Sequence, residues 1–309
     1  MTTTTLKLPS FAKINWFLRV LGKRPDGYHE VVTVLQTISL SDEITFASDQ
    51  TEESPLTLTC DDPTIPTDKD NLIVKAADAL WDCYQAAYGA EIRLQKRIPT
   101  KAGLGGGSSN AAVALLGLNA VWGRNFTIEE LMDPGFLGAD VPFFLKGGTC
   151  LATGTGTTLT ELPDAPKKHL IVVTPNANVS TATAYASLNA RSLTTSESAS
   201  ILSSSLAELN SAGSGQWPLC NDFESVIFEI EPEIERVKMA LLEAGARGAL
   251  LAGSGSSVFG VFDDEGSRDR ALDNLRCEAG WKVFPCHTLS RAEYFRAMNS
   301  SGFPLLTLS

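Results

Sequence analysis

A glycine-rich loop, set between a strand-like segment and an apolar helix, constrains this chain more than any other feature. Residues 98–112 read IPTKAGLGGGSSNAA, with four glycines and two serines between the two patterns. Glycine lets the backbone adopt left-handed conformations and approach a ligand closely, so successive N–H groups can line one concave nest. The free amides and the positive dipole end of a following helix also favour an anion. The loop therefore predicts a phosphate site.

The residues on either side fix the type of loop. Ile92 and Leu94 alternate with polar residues, which is typical of a half-buried strand. The segment Ala111–Trp122 is apolar and rich in helix formers, with Ser108 or Ser109 as the expected N-cap. No Gly-Lys-Ser/Thr closes the loop, which excludes a P-loop, and the third glycine and later acidic residue of a dinucleotide fingerprint are missing. A structural turn that binds nothing is the alternative.

Length and pattern set the fold class and the domain organisation. The chain has 309 residues, which suggests two domains, and we place them at 1–163 and 164–309. Strand-like runs mixed with helical patterns, and few parallel βαβ signals, predict an α+β fold. The first residues, MTTTTLK, resemble neither a secretion signal nor a transit peptide, so the expected location is cytoplasmic.

Charge and cysteine usage limit the partners. The net charge of −11 argues against a nucleic-acid or anionic-membrane partner, because such binding needs a basic face. A small-molecule substrate with phosphates stays compatible if amides, lysines or a metal ion neutralise it locally. Six cysteines without a CxxC pair, and three histidines apart from them, indicate neither a disulfide framework nor a zinc site.

Hydrophobic periodicity predicts further elements along the chain. They are two or three strands over 6–46 with a turn at 23–27, a helix over 70–88, a β-rich stretch over 143–162, a strand over 169–173, a mobile Ser-rich surface segment within 191–216, and a helix over 232–244. Asp70 is the expected N-cap of the first helix. Residues 249–262 predict two strands around a second Gly/Ser loop, which either lies near a bound phosphate or closes a plain hairpin.

Several motifs, taken together and in order, resemble those of the GHMP kinases, the galacto-, homoserine, mevalonate and phosphomevalonate kinases and their relatives. The motifs that carry this resemblance are Ser10–Asn15, Pro99–Ala112 and Gly248–Val258. A second set resembles the branch that acts on a cytidine-diphosphate-linked polyol: Arg24–Glu30, Gly105–Ala111, Gly138–Phe144 and Asn221–Glu224. The resemblance implies a two-domain GHMP kinase fold with its active site in the inter-domain cleft. It also implies ATP-dependent phosphorylation of the 2-hydroxyl of a cytidine-diphosphate-linked methylerythritol, on the non-mevalonate route to isoprenoid precursors.

The same resemblance assigns roles to individual residues. Asp140 would accept the proton of the substrate hydroxyl, and Lys13 would hold that carboxylate ionised and touch the transferred phosphoryl group. The residues expected to bind substrate are Asn15, Tyr28, His29, Tyr185, Gly253, Ser254 and Gly255. Those expected to bind ATP are Pro99, Lys101, Ala102, Gly103, Leu104, Gly105, Gly106, Gly107, Ser108 and Ser109. Mg²⁺ is expected as the ATP counter-ion, near Ser108 or Ser109.

Other proteins of this fold remain alternatives. One is a small-molecule kinase of the homoserine or mevalonate type, another is a lyase similar to the diphosphomevalonate decarboxylases, and a third is a ligand-binding regulator without turnover. The Asp-Gly-Tyr-His sequence at 26–29 has no evident purpose in the lyase, and Lys13 with Asp140 argues against the regulator. Pro134-Gly135 departs from the family pattern and predicts a break in the helix before Asp140.

Overall fold

The computed structural model of the chain describes residues 4–48, 55–84, 89–132, 137–188, 202–207, 217–302 and 305–306. They form the α+β fold that the sequence predicts, with two sheets and helices packed on both. The strands are β1 (Thr4–Lys23), β2 (His29–Ser48), β3 (Leu56–Cys60), β4 (Ala90–Gln95), β5 (Thr149–Gly154), β6 (Thr158–Glu161), β7 (His169–Thr174), β8 (Cys220–Asn221), β9 (Gly248–Leu251), β10 (Val258–Phe262) and β11 (Lys282–His287).

The helices alternate with these strands along the chain. They are α1 (Leu72–Tyr84), α2 (Gly106–Val121), α3 (Ile128–Leu131), α4 (Val141–Lys146), α5 (Thr181–Ser187), α6 (202–207), α7 (Glu224–Ile230), α8 (Pro232–Glu243), α9 (Glu265–Asn274) and α10 (Arg291–Met298), which is followed by a 3₁₀ turn at Asn299–Ser301. None of the described helices combines the length and the apolar character that crossing a bilayer would need.

The first sheet holds the two longest strands at its centre. It has seven strands in the order β3-β4-β2-β1-β8, with β5 and β6 joined beside β2. Strands β1 and β2 pair antiparallel from Thr4 opposite Ser48 to Lys23 opposite His29. Helices α1 and α2 cover one face of this pair and the second sheet covers the other. Polar side chains in the middle of β1 and β2 therefore lie inside the molecule.

The second sheet is antiparallel throughout, in the order β11-β7-β10-β9. Helices α7, α8 and α9 pack on it through Ile227, Ile234, Val237 and Ala271. The predicted strand at 169–173 and the predicted pair of strands within 249–262 are confirmed. The second Gly/Ser loop is the turn between β9 and β10.

The C-terminal helix α10 packs back onto the core of the first sheet. Tyr294 and Met298 are buried there, and the Tyr294 hydroxyl donates to the carbonyl of Phe144. The Arg291 guanidinium donates to the carbonyls of Gly147, at 3.2 Å, and Thr149, at 2.9 Å. The tail thus braces the C-terminal end of α4, the helix that follows Asp140.

Two sequence predictions about helices need correction. Helix α1 begins at Leu72, so Asn71 replaces Asp70 as its cap: Asn71 Oδ1 accepts from the amide of Ile73 at 2.9 Å. Residues 85–88 of the predicted helix lie outside the described part. The first residues of the β-rich stretch, from Phe143 to Lys146, form α4 instead, because Pro142 suits the first turn of a helix and the two following phenylalanines are buried.

The Ser-rich segment is only partly described. Residues 202–207 form α6, and Leu202 and Leu206 pack against the core between the sheets. Two leucines one helical turn apart give this part an apolar side, and the mobility predicted for the segment stays a prediction. Residues 191–201 and 208–216 lie outside the described part.

Candidate active site

The glycine loop ends in a left-handed residue that starts α2. Gly105 has φ 71° and ψ 13° and is the N-cap, with no side chain to bond the first-turn amides. The prediction that Ser108 or Ser109 caps this helix is therefore wrong. Both serines lie inside its first turn, where a residue needs helical backbone and cannot act as cap. The amides of Gly106, Gly107 and Ser108 precede the first intrahelical bond, from Ser109 N–H to the Gly105 carbonyl at 2.9 Å. They can therefore hold an anion.

The two serines of the loop face different surroundings. Ser109 is fully buried, and its Oγ accepts from the Ser10 hydroxyl at 2.8 Å. Ser108 is partly exposed, and its Oγ lies 3.9 Å from where a Cβ on Gly138 would sit. Ser108 is thus the hydroxyl on the open side of the loop, close to the segment that carries Asp140.

The other residues predicted to bind ATP differ in whether their side chains or only their backbone groups can face a ligand. Lys101 is exposed and left-handed, with φ 53°, and Pro99 is half-buried. The side chains of Ala102 and Leu104 point into the core between the two sheets. Only backbone groups of these two residues can face a ligand.

The second Gly/Ser loop lies against the first. The amide of Ser257 donates to the Ala102 carbonyl at 3.2 Å. A Cβ on Gly103 would come within 1.8 Å of the Ala252 carbonyl oxygen, so only glycine allows this approach. The second loop therefore closes a hairpin, as one of the two predictions had it, and it also borders the predicted phosphate loop. Gly253 brings it close to Lys13, whose Nζ lies 3.1 Å from the position of an added Cβ.

Lys13 lies beneath both loops. It is 5% exposed, and its backbone amide donates to the Leu104 carbonyl at 3.0 Å. Its Nζ donates to Asn15 Oδ1 at 2.8 Å. Burial lowers the pKa of the ammonium group, and the nearby charge of Asp140 acts in the opposite direction. Lys13 is therefore a buried basic group at the site, and the charge of Asp140 offsets part of the effect of its burial.

Asp140 is half-buried at the start of α4, with φ −85° and ψ −11°. Its charge acts on Lys13 and also on Tyr185, whose pKa burial and this carboxylate together raise to about 12. Asp140 thus lies between the loop side of the site and an aromatic side. Helix α3 ends at Leu131, and the predicted break at Pro134-Gly135 lies outside the described residues.

The aromatic side of the site consists of Tyr28 and His29 together with Tyr185 and Phe223, which lie far from them in the sequence. The His29 and Tyr185 rings stack at 4.7 Å between centroids, with 27° between their planes. Phe223 supports Tyr185 from its edge at 4.9 Å and 89°. Tyr28 beside them is 67% exposed. The Arg24 guanidinium braces this turn by bonding Glu30 at 2.9 Å.

Several residues that shape the site carried no role in the sequence analysis. Asn221 holds the second loop, because its Nδ2 donates to the Leu251 and Gly253 carbonyls, both at 2.8 Å. Thr33 accepts from Asn15 Nδ2 at 2.7 Å. Asp42, fully buried, accepts from Lys96 Nζ at 2.7 Å and from Asn110 Nδ2 at 3.0 Å. The only sequence signal for Thr33 was a polar residue within an otherwise apolar stretch, and Asp42, between Ser41 and Glu43, carried no such signal.

Comparisons with known proteins match both halves of the chain. The GHMP kinases N terminal domain matches residues 71–148, and the GHMP kinases C terminal domain matches residues 199–280. A 4-diphosphocytidyl-2-C-methyl-D-erythritol kinase from Geobacter sp. (strain M21) is 42% identical, over 92% of this chain and 99% of its own. The kinase of the same name from Solibacter usitatus is 40% identical, over 91% and 89%.

The chain belongs to the 4-diphosphocytidyl-2-C-methyl-D-erythritol kinase family. A crystal structure of 4-(cytidine 5'-diphospho)-2C-methyl-D-erythritol kinase agrees, with a TM-score of 0.72, 30% identity, and coverage of 92% of this chain and 99% of that one. Homoserine kinase from Cytophaga hutchinsonii shares the fold, at 20% identity and TM-score 0.66, over 93% and 95%. As a GHMP kinase, the chain is an ATP-dependent phosphotransferase with a small-molecule substrate. The alternatives of a homoserine- or mevalonate-type kinase and of a decarboxylase-like lyase are not favoured, and neither is a regulator without turnover.

Proposed function

We propose that this enzyme transfers the γ-phosphoryl group of ATP to the 2-hydroxyl of 4-diphosphocytidyl-2-C-methyl-D-erythritol, on the non-mevalonate route to isoprenoid precursors. The observation that carries this proposal is the position of Lys13. Its backbone meets the phosphate loop at Leu104, and its ammonium group shares an electrostatic interaction with Asp140. One side chain therefore links the proposed ATP site to the proposed base.

On the ATP side, the loop supplies backbone groups and a dipole. The free amides at the start of α2 and the positive end of that helix suit the phosphates of ATP. Ser108 adds a hydroxyl on the same side. We assign Ala102, Leu104 and Ser109 a share in this site through backbone and packing, since their side chains face the interior.

Phosphoryl transfer needs positioning and charge neutralisation more than covalent chemistry by the protein. The substrate hydroxyl oxygen bonds the γ-phosphorus while the bond from that phosphorus to the β-bridging oxygen breaks and ADP leaves. Asp140 accepts the hydroxyl proton. Lys13, in a poorly hydrated position, stabilises the negative charge on the transferred group.

The donor set fits a magnesium ion that is carried by the nucleotide. Among the described residues no group of three His, Cys, Asp or Glu side chains comes together as a metal cage. Ser108 Oγ lies beside the segment of Asp140, and Mg²⁺ commonly combines one or two such oxygen ligands with substrate phosphates and water. Bound there, the ion would neutralise charge on the phosphates.

The aromatic side is suited to a pyrimidine. The stacked His29 and Tyr185 and the exposed ring of Tyr28 offer flat apolar faces next to ring nitrogens that can bond a base edge. We assign cytosine recognition to these three residues. Gly253, Ser254 and Gly255 border the phosphate loop and would contact the diphosphate or the polyol.

The division into domains at residue 163 belongs to this proposal as well. The strands of the first sheet, apart from β8, end by Glu161, and the second sheet begins at His169. Strand β8 and helix α10 return to the first unit. Limited proteolysis tests the division: we expect the first stable cleavage near 163, and fragments that remain associated.

A substrate panel tests the proposed activity. ADP release is measured with 4-diphosphocytidyl-2-C-methyl-D-erythritol, homoserine and mevalonate, for the wild type and for Asp140→Asn. We expect turnover with the cytidylyl substrate alone, and a loss of kcat of about 10²-fold or more in the variant. Full activity of Asp140→Asn would contradict the role of Asp140 as the base. Turnover of mevalonate or homoserine instead would contradict the proposed substrate.

A further inference from the structure

We propose that Thr33 is a positioning residue for phosphoryl transfer. Through the amide of Asn15 it fixes the ammonium group of Lys13 at the site. This inference rests on the proposed role of Lys13 in the reaction. The three residues come from the two central strands, with Lys13 and Asn15 on β1 and Thr33 on β2.

The three side chains form a directed series of hydrogen bonds. Lys13 Nζ donates to Asn15 Oδ1 at 2.8 Å, and Asn15 Nδ2 donates to Thr33 Oγ1 at 2.7 Å. Thr33 Oγ1 in turn donates to the Phe17 carbonyl at 2.7 Å. The series therefore ends on backbone, which cannot rotate away as a side chain can.

The direction of the series follows from the single proton of a hydroxyl. Because Thr33 gives that proton to the Phe17 carbonyl, only its lone pairs face Asn15. Asn15 must then present its NH₂ group to Thr33 and its oxygen to Lys13. If the amide were turned over, its NH₂ group would face an ammonium group, and two donors would meet without an acceptor. Thr33 thus selects the orientation of Asn15 that can hold a lysine.

Burial makes the series hard to replace with water. Lys13, Asn15 and Thr33 are 5%, 2% and 6% exposed. A buried polar group that loses its partner is strongly unfavourable, and a lysine side chain loses rotamer entropy when it is fixed. Without Thr33, Asn15 can turn, and the ammonium group loses the acceptor that sets its direction.

A β-bulge places this series where the site needs it. The register of β1 against β2 shifts between Asn15 and Phe17, so that Asn15 lies opposite Leu35 and Phe17 opposite Val34. A bulge bends its strand and redirects side chains next to it. The sequence analysis assigned Asn15 to substrate. In the structure its oxygen and one amide proton are engaged, which leaves the second proton of Nδ2 for a ligand.

The test uses Thr33→Val, which keeps the shape of the side chain and removes the hydroxyl, and Thr33→Ser, which keeps the hydroxyl. We expect Thr33→Val to lower kcat about 10- to 100-fold, the loss that one unsatisfied buried hydrogen bond corresponds to, with KM for both substrates changed less than about threefold. Thr33→Ser should restore most of kcat. Thr45→Val, on the same strand and away from the site, is the matched control. Thermal unfolding of every variant checks that it is folded, and Thr33→Ala takes the place of Thr33→Val if that variant is not.

A double-variant cycle separates this role from a general loss of packing. If Thr33 acts through Asn15, then Thr33→Val has no further effect on kcat in an Asn15→Ala background. Independent, multiplicative losses, or equal losses in Thr33→Ser and Thr33→Val, would overturn the proposal. Lys13→Met separates the proposed role of Lys13 from that of Thr33. If it keeps full kcat, the proposed role of Lys13 fails; if it is inactive while Thr33→Val is fully active, only the role of Thr33 fails.

Discussion

The imidazole ring of His29 stacks on the phenol ring of Tyr185, 4.7 Å between centroids, although 155 positions separate the two residues in the chain. His29 begins β2 in the first sheet, and Tyr185 lies on α5 after β7 of the second. Contact between them brings the turn that carries Tyr28 close to Tyr185, on which the charge of Asp140 acts. The substrate pocket that we propose is therefore built from both halves of the chain.

The exposed ring of Tyr28 leads to the first prediction. Tyr28→Ala should raise KM for the cytidylyl substrate by about 10-fold, the value of one stacking contact, and leave KM for ATP unchanged. Steady-state kinetics with each substrate varied in turn measures both constants. Trp81→Ala, an exposed aromatic residue on α1, serves as the control and should alter neither. Equal losses for both substrates would contradict the assignment of Tyr28 to cytosine.

Histidine protonation leads to the second prediction, which concerns stability. Burial lowers the pKa of His29, with a further contribution from Lys23, and burial also lowers the pKa of His287. A histidine whose folded pKa lies below its unfolded value near 6.5 binds fewer protons when folded, so the free energy of unfolding falls as the pH drops through that range. Denaturation in urea at pH 7.5 and at 5.5 should show this fall. The difference in unfolding free energy between the two pH values should be smaller in the His29→Gln/His287→Gln variant. An equal difference in wild type and variant would contradict the assignment of this pH dependence to the two histidines.

The contact between the two loops leads to the third prediction. Gly103 has φ +76°, and a Cβ there would come within 1.8 Å of the Ala252 carbonyl oxygen. Gly103→Ala should therefore separate the loops and raise KM for ATP at least about 10-fold, since misplaced binding groups lose much of their effect. Gly266→Ala on α9 is the control, because its Cβ would meet only the ends of flexible side chains. Steady-state kinetics with ATP varied measures this change; a normal KM for ATP in Gly103→Ala would show that the loops are not coupled.

A buried ion pair leads to the fourth prediction. Asp42 and Lys96 are 0% and 7% exposed and lie 2.7 Å apart, and Asp42 also accepts from the amides of Arg97 and Ile98. Asp42→Ala should cost about 3–5 kcal/mol of unfolding free energy, because it leaves a buried ammonium group without its partner. Glu43→Ala, which removes a solvent-exposed pair with Lys7, should cost at most about 1 kcal/mol. Similar losses of unfolding free energy in Asp42→Ala and Glu43→Ala would contradict the claim that burial makes the Asp42–Lys96 pair important.

The sequence predicted much of this architecture because the signals were local. The strand before the glycine loop, the turn at 23–27 and the strand at 169–173 all follow from periodicity and turn residues that lie within one short window. The stretch from Phe143 to Lys146 was assigned to a strand because buried aromatic residues suit either structure, and only the packing of α4 against α2 and α10 decides between them.

The arrangement of the candidate site could not be predicted from local sequence signals, because its residues lie far apart in the chain. Asp140 acts on Lys13, 127 positions away, and on Tyr185, 45 positions away, so no short window of sequence contains two of these residues. Family resemblance indicated these residues, but it gave no role to Thr33 or Asn221. Their roles depend on partners that only the fold brings together. Thr33 accepts from the amide of Asn15, and Asn221 donates to the carbonyls of Leu251 and Gly253.

The position of the new phosphate tests the central claim most directly. In 4-diphosphocytidyl-2-C-methyl-D-erythritol the carbon that carries the 2-hydroxyl also carries the methyl group and no hydrogen. A phosphate attached there has no proton three bonds from its phosphorus. The ³¹P spectrum of the product, recorded without proton decoupling, should therefore show a new phosphomonoester singlet, formed in step with ADP and far more slowly with Asp140→Asn. A new signal split by carbinol protons, or ADP release without a new phosphomonoester, would contradict the proposed reaction.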